Sequence, residues 1–123
     1  MFDIKKYYAD FEYPQGYYDL LDLNLTDFDF WYFFREEFLD IRTSGLKERF
    51  PERKLVPFAR RGDNDDIACF EAGKGEKVFI VHDFASPGWE RRREYDNIWL
   101  WLKDAVGEVV SSRLEENDTP PAL

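Results

Sequence analysis

The chain contains one cysteine, Cys69, and one histidine, His82. A single cysteine excludes an internal disulfide framework. One cysteine with one histidine excludes a four-ligand thiolate–imidazole zinc site, and no metal or cofactor is expected. The lack of disulfides fits a reducing compartment. No apolar run reaches membrane-spanning length. The opening stretch MFDIKKYYADFEY breaks its apolar residues with charges, so no secretory leader is read there, and a cytoplasmic location without membrane contact is expected. Glycine is sparse, and Gly73, Gly75 and Gly88 form neither a dinucleotide fingerprint nor a phosphate loop. Positive charge is also in short supply: 17 Lys and Arg face 26 Asp and Glu, a formal net charge of −9. Nucleic-acid binding needs Lys and Arg to displace counterions, so no nucleic-acid partner is expected. A basic protein partner suits such a surface.

Aromatic residues and acids are abundant, and they coincide. The chain has 12 Phe, 7 Tyr and 4 Trp. Asp10, Glu12, Asp19, Asp22, Asp27, Asp29, Glu36, Glu37 and Asp40 crowd one segment, opposed only by Arg35. Tyr13, Tyr17, Tyr18, Phe28, Phe30 and the run Trp31-Tyr32-Phe33-Phe34 lie in the same segment. Basic residues gather elsewhere, at Lys47, Arg49, Arg53, Lys54, Arg60, Arg61 and Arg91-Arg92-Arg93. A length of 123 residues is that of one domain, residues 1–123. The polar tail from about residue 113, ending Asp118-Thr119-Pro120-Pro121, is expected to fray.

Periodicity predicts the elements. Tyr13-Pro14-Gln15-Gly16 reads as a turn leading into a short helix, Tyr17 to Leu23. Asp27-Phe28-Asp29-Phe30 alternates like a half-buried strand, continuing into the aromatic run to Phe34. Glu36 to Phe50 is mixed, with Gly45 as a break and a helical turn at Leu46 to Phe50. Strands are predicted at Lys54 to Ala59, Asp66 to Glu71 and Lys77 to Phe84, joined by Gly/Asp-rich turns into an antiparallel meander that Ser86-Pro87-Gly88 ends. From Asp96 to Arg113, Ile98, Trp101, Leu102, Ala105, Val106 and Val109 fall on one helical face. Asp96 or Asn97 supplies its cap, and that face is expected against the sheet.

The candidate chemical groups read more simply as structure. His82 and Asp83 are adjacent in a strand, so their side chains diverge and do not form an acid–base pair. Cys69 sits in an apolar strand and behaves as a small hydrophobe. Asp63-Asn64-Asp65-Asp66 lacks the glycine and distal glutamate of a calcium loop. The arginine runs could meet phosphate, but read as a solvated face. Tyr and Trp are favoured at binding hot spots, and neighbouring acids would select a basic partner. The expected partner-binding residues are therefore Asp19, Asp22, Asp27, Asp29, Tyr17, Tyr18, Trp31 and Trp99, with no catalytic residue. Trp99 and Leu100 lie off the buried stripe and could serve a homodimer.

The series Leu55-Val56-Pro57-Phe58-Ala59, Gly62 to Phe70, Val78 to Asp83 and Tyr95-Asp96-Asn97-Ile98-Trp99-Leu100-Trp101-Leu102 resembles the SUKH superfamily. That family includes yeast cell-wall regulators of the Smi/Knr type and many bacterial proteins. The resemblance spans roughly Leu55 to Val106; the family's Asn-Gly-Gly after its early helix is absent here. It implies an α+β fold, a single antiparallel-rich sheet with flanking helices. It also implies a non-catalytic role, foremost that of an immunity protein neutralising a basic, nuclease-type toxin by direct binding. A general interaction or scaffold module is the alternative.

Overall fold

A computed structural model describes residues 1–118. After a 3-10 turn at Ile4–Lys6 the elements run α1 (Gln15–Asp22), β1 (Asp27–Phe28), β2 (Trp31–Phe33), α2 (Glu36–Arg49), β3 (Leu55–Arg61), β4 (Asp66–Glu71), β5 (Val78–His82), β6 (Arg91–Tyr95) and α3 (Ile98–Asp118). The fold is α+β: all six strands form one antiparallel sheet in chain order, β1-β2-β3-β4-β5-β6, with helices against it.

Both faces of the sheet are covered. Ala68, Phe70, Val78 and Ile80 share a core with Tyr17, Leu20, Ile98 and Trp101 of α1 and α3. The alternating residues Ile67, Cys69, Phe79 and Val81 pack instead with Leu46 and Phe50 from α2 and its end. Successive strand residues point to opposite faces, and here each face meets a helical layer. Central strands buried on both sides read as unbroken apolar runs, which accounts for Val78 to Val81. Pro57 is accommodated by a register shift between Pro57 and Ala59, since proline offers no ladder N–H and belongs at a bulge. A second shift falls at Ile80/Val81, which pair with Arg93 and Arg91 and leave Arg92 as the extra residue.

Three expectations are corrected. Asp27 to Phe34 is a tight hairpin rather than one strand: Phe28 pairs with Trp31 across Asp29-Phe30. Glu36 to Phe50 is not broken at Gly45; α2 runs through it. The sheet does not end at Ser86-Pro87-Gly88, because the arginine run forms edge strand β6. A charged edge strand has no buried face to announce it, and charge there deters edge-to-edge pairing.

The last helix starts as expected. The Asn97 Oδ1 accepts from Leu100 N–H at 3.0 Å, which is N-cap geometry. Ile98, Trp101 and Ala105 are buried, but Val106 faces outward. Helix α3 continues past Arg113 to Asp118, so that part of the tail is helical; the expectation for residues 119–123 lies outside the described residues. Gly16 lets α1 approach α3 closely, because a Cβ there would lie 2.6 Å from Ile98 Cγ2. Among the described residues no helix is long and apolar enough to cross a membrane.

Candidate functional site

Helix α1 divides the tyrosine pair. Tyr17 and Leu20 turn inward; Tyr18 and Asp22 are exposed and Asp19 is half-buried on the outer side. The helix ends with Asn24 in the left-handed region at φ 58. Asn24 N–H returns to Leu21 C=O at 3.1 Å and Leu25 N–H to Leu20 C=O at 2.9 Å. That pair of bonds is the Schellman stop, with asparagine in glycine's usual place. It sets Leu21, Leu23 and Leu25 at the surface beside Asp19, Asp22 and Asp27. The stretch from Tyr18 to Asp27 is therefore an acidic, apolar ridge.

The acids of the first third do not form one free patch. Glu12 pairs with Lys5 at 2.6 Å, Asp40 with Lys6 at 2.7 Å and Glu37 with Arg35 at 3.8 Å. Asp29 is paired with Arg113 of α3. Glu36 accepts the Phe2 N–H at 2.6 Å. Hydrogen bonds from Lys6, then Tyr7, hold the Asp40 carboxyl below the usual carboxylate range. The Asp19 carboxylate accepts from the Gln15 amide at 3.1 Å. Among the described residues Asp19, Asp22 and Asp27 form no ion pair. Of the four acids expected at the interface, Asp19, Asp22 and Asp27 stay open and Asp29 is neutralised.

The aromatic expectations split in the same way. Tyr18 and Trp99 are 44% exposed. Tyr17 and Trp31 are 8% and 4% exposed, and this corrects their assignment to a partner surface. Tyr17 stacks on Tyr13 at 4.5 Å, and Trp31 meets Trp101 edge-on at 5.6 Å. Burial raises the Tyr17 hydroxyl to about 12. Their rings are core because α1 packs Tyr17 onto the sheet and β2 turns Trp31 toward Trp101 of α3, and sequence alone gives no face for either.

Past Asp27 the ridge opens into a groove of about 1080 Å³ between β2 and α2. Phe34, Phe38, Ile41 and Phe84 line it, with Arg35, Arg42, Arg49 and Arg60 among them. Ile41 is 74% exposed and Phe84 64%. Sequence reasoning missed these residues. Phe38 and Ile41 stand out only once α2 is known, since its buried stripe is Leu39, Thr43 and Leu46. Phe84 is held outward at φ 69, a conformation that costs a non-glycine residue about 1–3 kcal/mol and persists where its surroundings fix it. The fixing group is Asp83. Its fully buried carboxylate accepts the Phe84 N–H at 2.9 Å, Arg42 at 2.8 Å and Arg49 at 2.7 Å. The Arg49 guanidinium lies 4.2 Å from the Phe84 ring centroid, a cation–π contact.

His82 and Asp83 diverge. His82 Nδ1 meets Asp66 at 3.0 Å on the far side of the sheet from Arg42 and Arg49. Cys69 is wholly buried, and burial raises its thiol pKa, away from the reactive thiolate. Among the described residues no three His, Cys, Asp or Glu side chains converge as metal ligands. No family model, curated protein or solved structure matches this chain.

Proposed function

We propose that this chain is a non-catalytic protein-binding domain that captures a basic protein through the ridge from Tyr18 to Asp27. The observation that carries the reading is the ridge: Asp19, Asp22 and Asp27, without cationic partners among the described residues, interleave with exposed Tyr18, Leu21, Leu23 and Leu25. Apolar contact supplies affinity there, and unpaired carboxylates supply encounter rate and selection for a cationic partner. Phe38, Ile41 and Phe84 continue the exposed apolar surface beyond Asp27. The resemblance of Leu55 to Val106 to the SUKH superfamily favours a specific form of this reading, an immunity protein that blocks a basic toxin.

The test is co-purification with the product of the adjacent gene, followed by calorimetry at low and high salt. Charge reversal at Asp19, Asp22 and Asp27 is expected to weaken binding by about tenfold per site, and Asp29→Lys by less, because Arg113 already neutralises it. Affinity that ignores both salt and charge reversal sinks the electrostatic part. A second reading, homo-association, rests on a separate observation. Trp99, Val106, Val110 and Leu114 are exposed at helical spacing along α3. A dimer that persists on dilution and is lost in Val110→Glu would favour it over the first.

A further inference from the structure

We propose that two copies of this chain pair antiparallel through the outward face of α3, about a two-fold axis between Val106 and Gly107. The proposal rests on the homo-association reading and gives it a geometry; the acidic ridge plays no part in it.

Helix α3 has two apolar faces. At helical spacing, buried Ile98, Trp101 and Ala105 fall within about 60° of its circumference. Trp99, Leu100, Val106, Val110 and Leu114, each 43–56% exposed, fall within about 120° on the opposite side. An arc of that width is what a helix turns toward a core, and here it points away from its own. Ion pairs on either side of the buried face fix the helix in this orientation. Asp104 meets Arg93 at 2.8 Å, Glu108 meets Arg61 at 3.0 Å, and Arg113 meets Asp29. Between Trp99 and Leu114 the outward arc holds one charge, Lys103, and no acid. On a chain of net charge −9 copies repel one another, and an arc free of acids lets two of them meet without opposing carboxylates.

Gly107 points to the partner. Glycine weakens a helix interior relative to alanine, and a Cβ at Gly107 would meet nothing within 4 Å. Nothing inside one chain requires glycine there, in contrast to Gly16, whose Cβ would clash with Ile98. A gap in an apolar stripe admits a side chain from outside, and the stripe itself carries the matching one. When two α3 helices cross antiparallel, residues equidistant from the axis face each other. Trp99 then meets Leu114 of the second copy, Lys103 meets Val110, and Val106 enters the gap at Gly107. Each contact is made twice, as an isologous interface requires. Large side chains stand at the ends of the stripe and the gap at its centre, so the face is complementary to itself. Antiparallel helices also bring opposite dipole ends together. Two such faces bury on the order of 1,000 Å² in total, the low end for a specific interface, so a dissociation constant in the micromolar range is expected.

Sedimentation equilibrium of the full chain tests the pairing, and a monomer–dimer equilibrium is expected. Val110→Glu, on an exposed helical surface, is expected to keep the circular dichroism spectrum and to weaken the dimer by about tenfold or more. Gly107→Leu gives the sharper outcome. It adds apolar area to the stripe, so general stickiness predicts tighter association, whereas a filled gap predicts a dimer weakened by about tenfold. Disulfide formation reads the direction, because the buried Cys69 does not compete. Val106→Cys is expected to cross-link to itself. Lys103→Cys and Val110→Cys are expected to cross-link to each other when mixed and not alone. Alone, each lies about 10 Å along the helix from its own copy, beyond disulfide reach. A chain that stays monomeric at every concentration overturns the pairing and the homo-association reading together. A dimer indifferent to Val110→Glu has its interface elsewhere and also overturns the proposal. A dimer that Val110→Glu abolishes but Gly107→Leu tightens, or in which Lys103→Cys links to itself, overturns the antiparallel pairing alone and leaves homo-association standing.

Discussion

The two faces of the sheet are held by different forces. On the α1/α3 face the core is aromatic. Phe58 stacks on Phe70 at 4.7 Å and meets Trp101 edge-on at 5.0 Å, with Tyr17 and Phe33 around them. On the α2 face the core is smaller, and arginines close it. Arg42 and Arg49 converge on Asp83, and Arg53 bridges Glu71 at 2.6 Å and Glu90 at 3.1 Å. Each of these guanidiniums also covers a phenylalanine ring: Arg42 on Phe34, Arg49 on Phe84, Arg53 on Phe79. Ring packing is indifferent to pH and salt, whereas buried ion pairs depend on every partner staying charged. One sheet thus carries a layer fixed by shape and a layer fixed by charge, and the exposed Phe84 belongs to the second.

The largest expected effect breaks the shape-held face. Phe58→Ala removes a ring that is 1% exposed and touches four others. The expected loss is about 3–5 kcal/mol, read from the urea midpoint, and it should be the same at pH 7 and pH 5. A loss below about 1 kcal/mol would mean that the aromatic layer is not where stability resides.

The charge-held face should break by a slightly smaller amount and with a pH signature. Arg53→Ala leaves Glu71 and Glu90, both under 10% exposed, without their cation; the expected loss is about 3 kcal/mol at pH 7. Burial works against the charge on Glu90, but the N–H groups of Gly88 and Glu90 and the Arg53 guanidinium outweigh it, so its carboxyl titrates below the ordinary glutamate range. A depressed folded-state pKa means stability that is fully present above the unfolded value and is lost as pH falls through the folded one. Urea midpoints of the parent and Glu90→Gln should therefore differ at pH 7 and converge in acid. A gap of constant size from neutral to acid would show that Glu90 contributes through packing rather than charge.

The contrast also marks what the sequence could reveal. The strands from Leu55 to His82 and helix α3 were legible because their apolar residues recur at strand or helix period. Helix α2 was not. Its buried stripe is short, Phe38 and Ile41 place apolar side chains on its outer side, and Arg42 and Arg49 stand where a core helix would carry leucine. Strand β6 was invisible for a related reason: Arg91 to Glu94 are exposed and charged. The acidic ridge was legible as composition, and Asp19, Asp22, Asp27 and Tyr18 are at the surface. That Tyr17 and Trp31 turn inward, and that Arg113 meets Asp29 across 84 positions, are products of tertiary packing that no local pattern encodes. Arg60 and Arg61, adjacent in sequence, diverge to the groove at α2 and to the pocket between β6 and α3, as successive strand residues must.

The smallest expected effect is the most discriminating, because its sign depends on how firmly charge holds the α2 face. Gly45 lies on α2 between Arg42 and Arg49, three and four residues away, on the same helical face. In an ordinary helix interior Gly→Ala stabilises by about 1 kcal/mol. Here the new Cβ would sit 2.8 Å from Arg49 Nη1. A free arginine end would swing aside at little cost, but this one donates twice to a carboxylate that is wholly buried. Disturbing such a charge-assisted bond costs about 1.5–3 kcal/mol. Gly45→Ala is therefore expected to destabilise the protein by about 1 kcal/mol, and to stabilise it by about 1 kcal/mol in an Arg49→Met background. A double-mutant cycle in urea measures that coupling. Equal effects in both backgrounds would mean that Arg49 is free to move, and that Asp83 holds Phe84 outward without its help.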